Sequence, residues 1–259
     1  MIDIHTHILH NIDDGSNDID KSIAQLRIMD AGGIQRVYLS SHYFHGHYQY
    51  ERSDYDLKLA DLRQAAQKAG LKIDIQSGFE VFIQPGIVND VISKSLFLGD
   101  SQYVLIESEL NGIPADFYDN VYPLLRAGCK PILAHAERYV SIMHKPSTVR
   151  NLIEKNIYIQ TNAGSLLGYY GEKVRQTAWI LINNGWTHIL ASDDHVRGDY
   201  KAFFKAKKII QERIDDKTAN LLTSEHPAMI HASLNIPYSY VIVKHIPPRR
   251  KSFLRRIFA

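Results

Sequence analysis

Ile2-Asp3-Ile4-His5-Thr6-His7 opens the chain as a short β-rich run that ends on two imidazoles. Alternate residues of a strand project to the same side, so His5 and His7 can face one ion. The construction recurs. Arg36 to Ser41 runs into His42, Lys72 to Gln76 leads on to Glu80, and Tyr103 to Ser108 carries Glu107. Pro131 to His135 ends on an imidazole, and Thr187 to Ser192 runs into Asp193-Asp194-His195. Only Ile157 to Thr161 ends without such a residue. Most of these runs are nearly continuous in apolar residues, as in strands covered on both faces.

Between the runs lie stretches with apolar residues at helical spacing. Ile19, Ile23 and Leu26 precede Gly32-Gly33; Leu59, Leu62, Ala66 and Ala69 precede Gly70; Val174, Ala178, Leu181 and Ile182 precede Gly185. A periodic segment stopped by glycine is a helix with its C-terminal cap. Pro123 must start or kink the helix that precedes Gly128. Seven strands alternating with helices predict an α/β fold, a closed or nearly closed parallel barrel in one domain over residues 1–245. In such barrels functional residues sit at the C-terminal ends of the strands. His5, His7, Asp14, His42, Glu80, Glu107, His135, Asp193 and His195 all fall there. So many carboxylates gathered without cations would be costly, and mixed imidazole and carboxylate donors suit manganese, iron or zinc better than magnesium or calcium. The expectation is a multinuclear hydrolytic site.

The 259 residues carry a formal net charge of +2, so the chain is not a generic nucleic-acid binder. One cysteine, Cys129, permits no internal disulfide and fits a reducing compartment. No apolar run approaches the ~20 residues of a membrane span, and no signal peptide precedes the first strand; the expected location is cytoplasmic. Lys244, Arg249, Arg250, Lys251, Arg255 and Arg256 make the C-terminus basic, and residues 246–259 read as a tail. Its mixture of basic and large apolar side chains suits an anionic membrane surface or an acidic partner, and a solubilising end fits it equally well. His45-Gly46-His47-Tyr48-Gln49-Tyr50-Glu51-Arg52 reads either as an aromatic lid or as a polar surface loop.

Met1-Ile-Asp-Ile-His-Thr-His-Ile-Leu, Ile12-Asp-Asp-Gly, Gly78-Phe-Glu, Leu105-Ile-Glu, Ala134-His-Ala-Glu-Arg, Thr161-Asn-Ala-Gly-Ser-Leu and Ala191-Ser-Asp-Asp-His together resemble the PHP (polymerase and histidinol phosphatase) superfamily. Within it, the chain is most similar to the bacterial manganese-dependent protein-tyrosine phosphatases encoded with capsule and exopolysaccharide genes. The resemblance spans essentially the whole chain and implies a distorted (β/α)7 TIM-like barrel, the PHP fold. It implies three metals, manganese with iron, cobalt or zinc as alternatives. His5, His7, Glu80 and Asp193 would hold the first. Glu80 would bridge to a second held with Glu107 and His135. Asp14, His42 and His195 would hold the third, with Arg138 and Arg197 as phosphate clamps. The implied partner is a phosphotyrosine protein, a membrane-associated tyrosine autokinase. The implied chemistry is in-line attack on phosphorus by a metal-bridging hydroxide.

The chain departs from the family pattern at His10-Asn11, Ser40-Ser41, Ala136, Asp194 and Val196. Asp194 either repels a phosphate or points away from the site. Substrate preference is therefore left open between phosphotyrosine and a small phosphomonoester of the histidinol phosphate type. An amidohydrolase-like deaminase also carries His-x-His on its first strand, but no lysine stands at a strand end here. A non-catalytic phosphoprotein-binding domain would not need the complete donor set. A thiolate phosphatase is excluded: such enzymes need arginine six residues after the cysteine, and position 135 is histidine.

Overall fold

The computed structural model describes residues 1–198 and 200–238. Seven strands follow one another around a parallel sheet in sequence order: β1 (Ile2–Thr6), β2 (Arg36–Tyr43), β3 (Asp74–Phe82), β4 (Tyr103–Glu107), β5 (Lys130–Leu133), β6 (Tyr158–Asn162) and β7 (Ile189–Ala191). The helices around them are α1 (Ile19–Ala31), α2 (Arg52–Lys68), α3 (Ile87–Ser93), α4 (Phe117–Arg126), α5 (Val140–His144), α6 (Val149–Glu154), α7 (Ala163–Leu167), α8 (Glu172–Asn183), α9 (Lys201–Arg213), α10 (Asp216–Asn220) and α11 (His226–His231). This is the expected α/β barrel. The expected tail, residues 246–259, and the boundary at 245 lie outside the described residues.

Two apolar clusters build the core. Ile2, Ile4, Tyr38, Leu105, Ile132, Tyr158 and Ile189 fill the barrel together with Ile230 of α11 and Ile236. A larger cluster lies outside the sheet, among the helices. The segment after α11 is tied across one end of the barrel by tyrosines: the Tyr103 hydroxyl donates to Leu234 O at 2.7 Å and the Tyr158 hydroxyl to Ile236 O at 3.1 Å.

Closure between β1 and β7 is irregular. Asp193 N donates to His5 O at 2.9 Å and His7 N to Asp194 O at 2.7 Å. Lower down, the Asp3 carboxylate replaces a backbone acceptor, taking Ser192 N at 3.1 Å and the Tyr200 hydroxyl at 2.5 Å. The register of β1 on β2 slips by one residue between Asp3 and Thr6. A slip of this kind re-aims side chains: Ile2 and Ile4 line the barrel, yet His5 and His7 both turn to the site.

Two expectations need correction, and one alternative is decided. His42 and Glu80 stand inside β2 and β3 rather than past their ends. Helix α1 buries Ser22, Gln25, Leu26 and Met29, while Ile19 and Ile23 are only partly covered; its buried face is therefore rotated from the one expected. Of the two readings of Pro123, the helix start falls away, since it sits within α4.

Candidate metal centre

All nine expected donors meet at the C-terminal end of the barrel. His5, His7, Glu80 and Asp193 form one group, His7, Asp14, His42 and His195 a second, and His42, Glu80 and Glu107 a third, each with donor atoms within 4.8 Å of one another. His135 joins them through Nε2, 2.9 Å from Glu80 Oε1 and 3.8 Å from Glu107 Oε2. The grouping thus differs from the expected one in detail: His42 faces Glu107 at 2.9 Å as well as Asp14 at 3.5 Å.

The imidazoles are oriented from behind. His7 Nδ1 lies 2.9 Å from Asp13 Oδ2 and His195 Nδ1 2.9 Å from the Asp193 carbonyl. His5 Nδ1 lies 3.1 Å from Gln160 Oε1. Gln160 is fixed in turn, because its Nε2 donates to Asn162 Oδ1 at 2.7 Å and Asn162 Nδ2 donates to Asp193 Oδ2 at 2.7 Å. An acceptor behind Nδ1 suits a proton there, and would leave the inward-facing Nε2 of each ring to give its lone pair to a cation. His5 Nε2 and His7 Nε2 stand 3.1 Å apart. Glu80 Oε2 lies 3.1 Å from His5 Nε2 and 3.3 Å from His7 Nε2, is buried, and accepts no hydrogen bond. Burial opposes charge on Glu80, but His5, His42 and His135 around it hold the carboxyl well below the usual range. Converging imidazole nitrogens and an unpartnered buried carboxylate oxygen fit divalent cations, and the imidazole and carboxylate donors fit manganese, iron or zinc.

Backbone strain marks the same place. His135 and Asp193 have φ of 35° and 55°, and Val196 has 58°. That region is costly for residues with a side chain, most of all for a β-branched one.

Asp13, Gln160 and Asn162 were not among the expected site residues. Asp13 Oδ2 also accepts from His42 N at 3.0 Å and Oδ1 from Gly15 N at 3.0 Å. Burial opposes its charge, yet the adjacent His7 ring holds the carboxyl below its usual range. Gln160 and Asn162 carry a legible signal, two polar residues in alternation at the end of β6. Asp194 points back toward α1, its Oδ2 taking Gln25 Nε2 at 2.7 Å, and burial pushes its carboxyl up to about 6.

Over the donors lies a cavity of about 220 Å³ bordered by Leu110, Arg138, Tyr170 and Arg197. Arg138 Nη1 donates to Asp193 Oδ2 at 3.0 Å, and its guanidinium sits 4.6 Å from the centre of the Tyr170 ring. Arg197, largely exposed, donates to Asp14 Oδ2 at 2.7 Å. The 45–52 stretch packs onto one side. The Tyr48 ring stacks on His42 at 5.1 Å and the Tyr50 hydroxyl donates to His42 O at 2.7 Å. His45 turns away to Asp90, and His47 stacks on Phe44.

The profile of the capsular polysaccharide synthesis family CpsB/CapC matches residues 1–231. The tyrosine-protein phosphatase YwqE of Bacillus subtilis is 31% identical over 196 residues, 75% of this chain and 77% of that one. The tyrosine-protein phosphatase CpsB of Streptococcus pneumoniae is 27% identical over 237 residues, 89% of this chain and 98% of that one. A crystal structure from work on these two proteins, described as unique metal-dependent tyrosine phosphatases, superposes with a TM-score of 0.85 at 27% identity, covering 95% of this chain and all of the other.

Proposed function

This chain belongs to the CpsB/CapC family of capsular polysaccharide synthesis, and on that premise we propose that it is a metal-dependent tyrosine-protein phosphatase. The observation that carries the reading is Glu80 Oε2, buried beside the His5 and His7 ring nitrogens with no hydrogen-bond partner. His5, His7, Glu80 and Asp193 would hold one ion, Glu80, Glu107 and His135 a second, and Asp14, His42 and His195 a third; manganese is the ion proposed.

Divalent cations supply a water that loses its proton near neutral pH and positive charge opposite the phosphoryl oxygens. The protein does the rest by positioning. Asn162 and Arg138 occupy Asp193 Oδ2, which leaves Oδ1 to face the imidazoles. Arg138 and Arg197 border the cavity from two sides and offer charge-assisted donors to a phosphoryl group. Tyr170 braces the Arg138 guanidinium by a cation–π contact. The leaving group of phosphotyrosine is a phenolate, whose free pKa of ~10 demands less protonation than an alkoxide. Cys129 is buried and burial raises its pKa, the opposite of what a nucleophilic thiol needs.

The substrate proposed is a phosphotyrosine protein, a membrane-associated tyrosine autokinase. The family's place in capsular polysaccharide synthesis supports this, and the basic and apolar sequence of residues 246–259 supports contact with an anionic membrane. Among the described residues no helix is long and apolar enough to cross a membrane. Chelator-stripped protein should not hydrolyse a phosphotyrosyl peptide, and added manganese should restore turnover, in wild type and in Cys129→Ser alike. Full activity after exhaustive stripping would refute the metal mechanism. Deletion after Pro248 should reduce membrane recruitment and spare peptide hydrolysis; unchanged recruitment removes that role from the tail.

A further inference from the structure

Gly168-Tyr169-Tyr170-Gly171 follows α7 at the rim of the metal centre. Both glycines are left-handed, with φ of 87° and 95°, a conformation glycine takes without penalty. The turn they make is pressed onto Gly164: a Cβ there would stand 3.2 Å from both Tyr169 Cδ2 and Tyr170 Cε2. The two rings are nonetheless 62% and 40% exposed. They are held in place but contribute little to the core.

Beside them lies a cavity of about 320 Å³, walled by Tyr169, Gly164, Tyr200 and Ala202. Tyr170 and Arg197 border both this cavity and the smaller one above the metal donors, so the two adjoin. The Asp194 carboxyl, which also borders it, is tied back to Gln25. One bridging oxygen separates phosphorus from the ring of a phosphotyrosine. With the phosphoryl group over the ions, the ring must therefore fall in the immediately adjoining space.

We propose that this second cavity seats the aryl ring of the substrate and that Tyr169 and Tyr170 select phosphotyrosine over aliphatic phosphoesters. The proposal rests on the phosphatase reading above. Ring-on-ring contact rewards an aryl group beyond its buried area, whereas a phosphoserine methylene would leave the cavity filled with water.

The test uses the manganese-loaded protein with two substrates, a phosphotyrosyl peptide and acetyl phosphate, which has no ring, and inorganic phosphate as inhibitor. Ala202→Phe narrows the cavity and replaces no proposed ligand or clamp. It should raise KM for the peptide about tenfold, the size of a lost aromatic seat. The acetyl phosphate kcat/KM and the phosphate inhibition constant should stay within about twofold of wild type. Tyr169→Ala, at an exposed position, should raise the peptide KM severalfold and carries the test if Ala202→Phe does not fold. Wild-type peptide KM in both variants, or equal losses on both substrates, overturns the inference alone. Wild-type protein that turns over acetyl phosphate but no phosphotyrosyl peptide overturns the tyrosine-phosphatase reading, and this inference with it.

Discussion

Replacing Asp13 by asparagine tests whether the centre depends on the residue behind it. The carboxylate accepts three hydrogen bonds: His7 Nδ1 at 2.9 Å and His42 N at 3.0 Å on Oδ2, and Gly15 N at 3.0 Å on Oδ1. An amide has one acceptor oxygen and one donor NH2. With the oxygen toward His7 and His42, the NH2 faces the Gly15 N–H, and two donors oppose each other. With the amide flipped, the NH2 faces His42 N and His7 Nδ1. It then strips His7 Nδ1 of its acceptor and favours the tautomer that puts a proton on Nε2, the atom aimed at Glu80 3.3 Å away. Both orientations leave a buried donor unpaired, at about 1–3 kcal/mol. Loss of such an outer partner lowers metal affinity by about 10–100-fold, or about 1.4–2.7 kcal/mol. The assay is calorimetric titration of manganese into chelator-stripped wild type and Asp13→Asn, with circular dichroism to establish equal folding. A binding isotherm for Asp13→Asn that superimposes on the wild-type curve would refute the assignment of Asp13 as the orienting partner of His7.

Three other outcomes follow from the fold. Val196, at φ 58°, pays the left-handed penalty that asparagine tolerates better; Val196→Asn should be more stable than Val196→Ala by about 1 kcal/mol, and equal melting temperatures would contradict this. His188 is held neutral, burial pushing it down to about 4 from 6.5, while the unfolded chain protonates near 6.5. The unfolded state thus binds more protons between these values, so stability is unaffected above pH 6.5 and falls as pH drops from 6.5 to 4, by about 3 kcal/mol in all. Urea unfolding at pH 7.5, 6 and 5 should show this loss, reduced in His188→Gln; identical slopes with pH would exclude His188 as its source. Ile230→Ala, which empties the α11 plug of the barrel, should cost about 2–4 kcal/mol with activity per folded molecule retained, and a loss under about 0.5 kcal/mol would show the plug to be dispensable.

Much of this was legible in the residues because barrel and site share one periodicity. A strand ending in His-x-His must show both rings on one side, and His5 and His7 do. What escaped has physical causes. The apolar run of the third strand, Lys72 to Gln76, places its end at Gln76, whereas β3 continues to Phe82. Gly78 is a close approach inside β3, where a Cβ would stand 3.1 Å from Leu98 Cδ2 and 3.5 Å from Ser40 Cα. Glu80 therefore belongs to the strand. In Asp13-Asp14-Gly15 a turn decides which carboxylate faces inward, and no spacing rule separates them; Asp14 faces the donors and Asp13 stands behind. Gln160 and Asn162 obey the rule that exposed His5 and His7, but amides are not metal-ligand types, so β6 looked empty while it aligned its neighbours. The face of α1 was misplaced because Ser22 and Gln25, both polar, are more deeply buried than Ile19 and Ile23.

The bonds joining β1 to β7 have a consequence for biosynthesis. They link residues nearly two hundred positions apart, and the partners are Asp193 with His5 and Asp194 with His7. A ribosome makes the first half of this clasp at the outset and the second only near the end. Until then the nascent protein owns four imidazoles and three carboxylates of the nine, without the bonds that join β1 to β7. Any fragment ending before residue 193 lacks both the clasp and Asp193 and His195, so premature termination yields inert polypeptide rather than a hydrolase with relaxed selectivity.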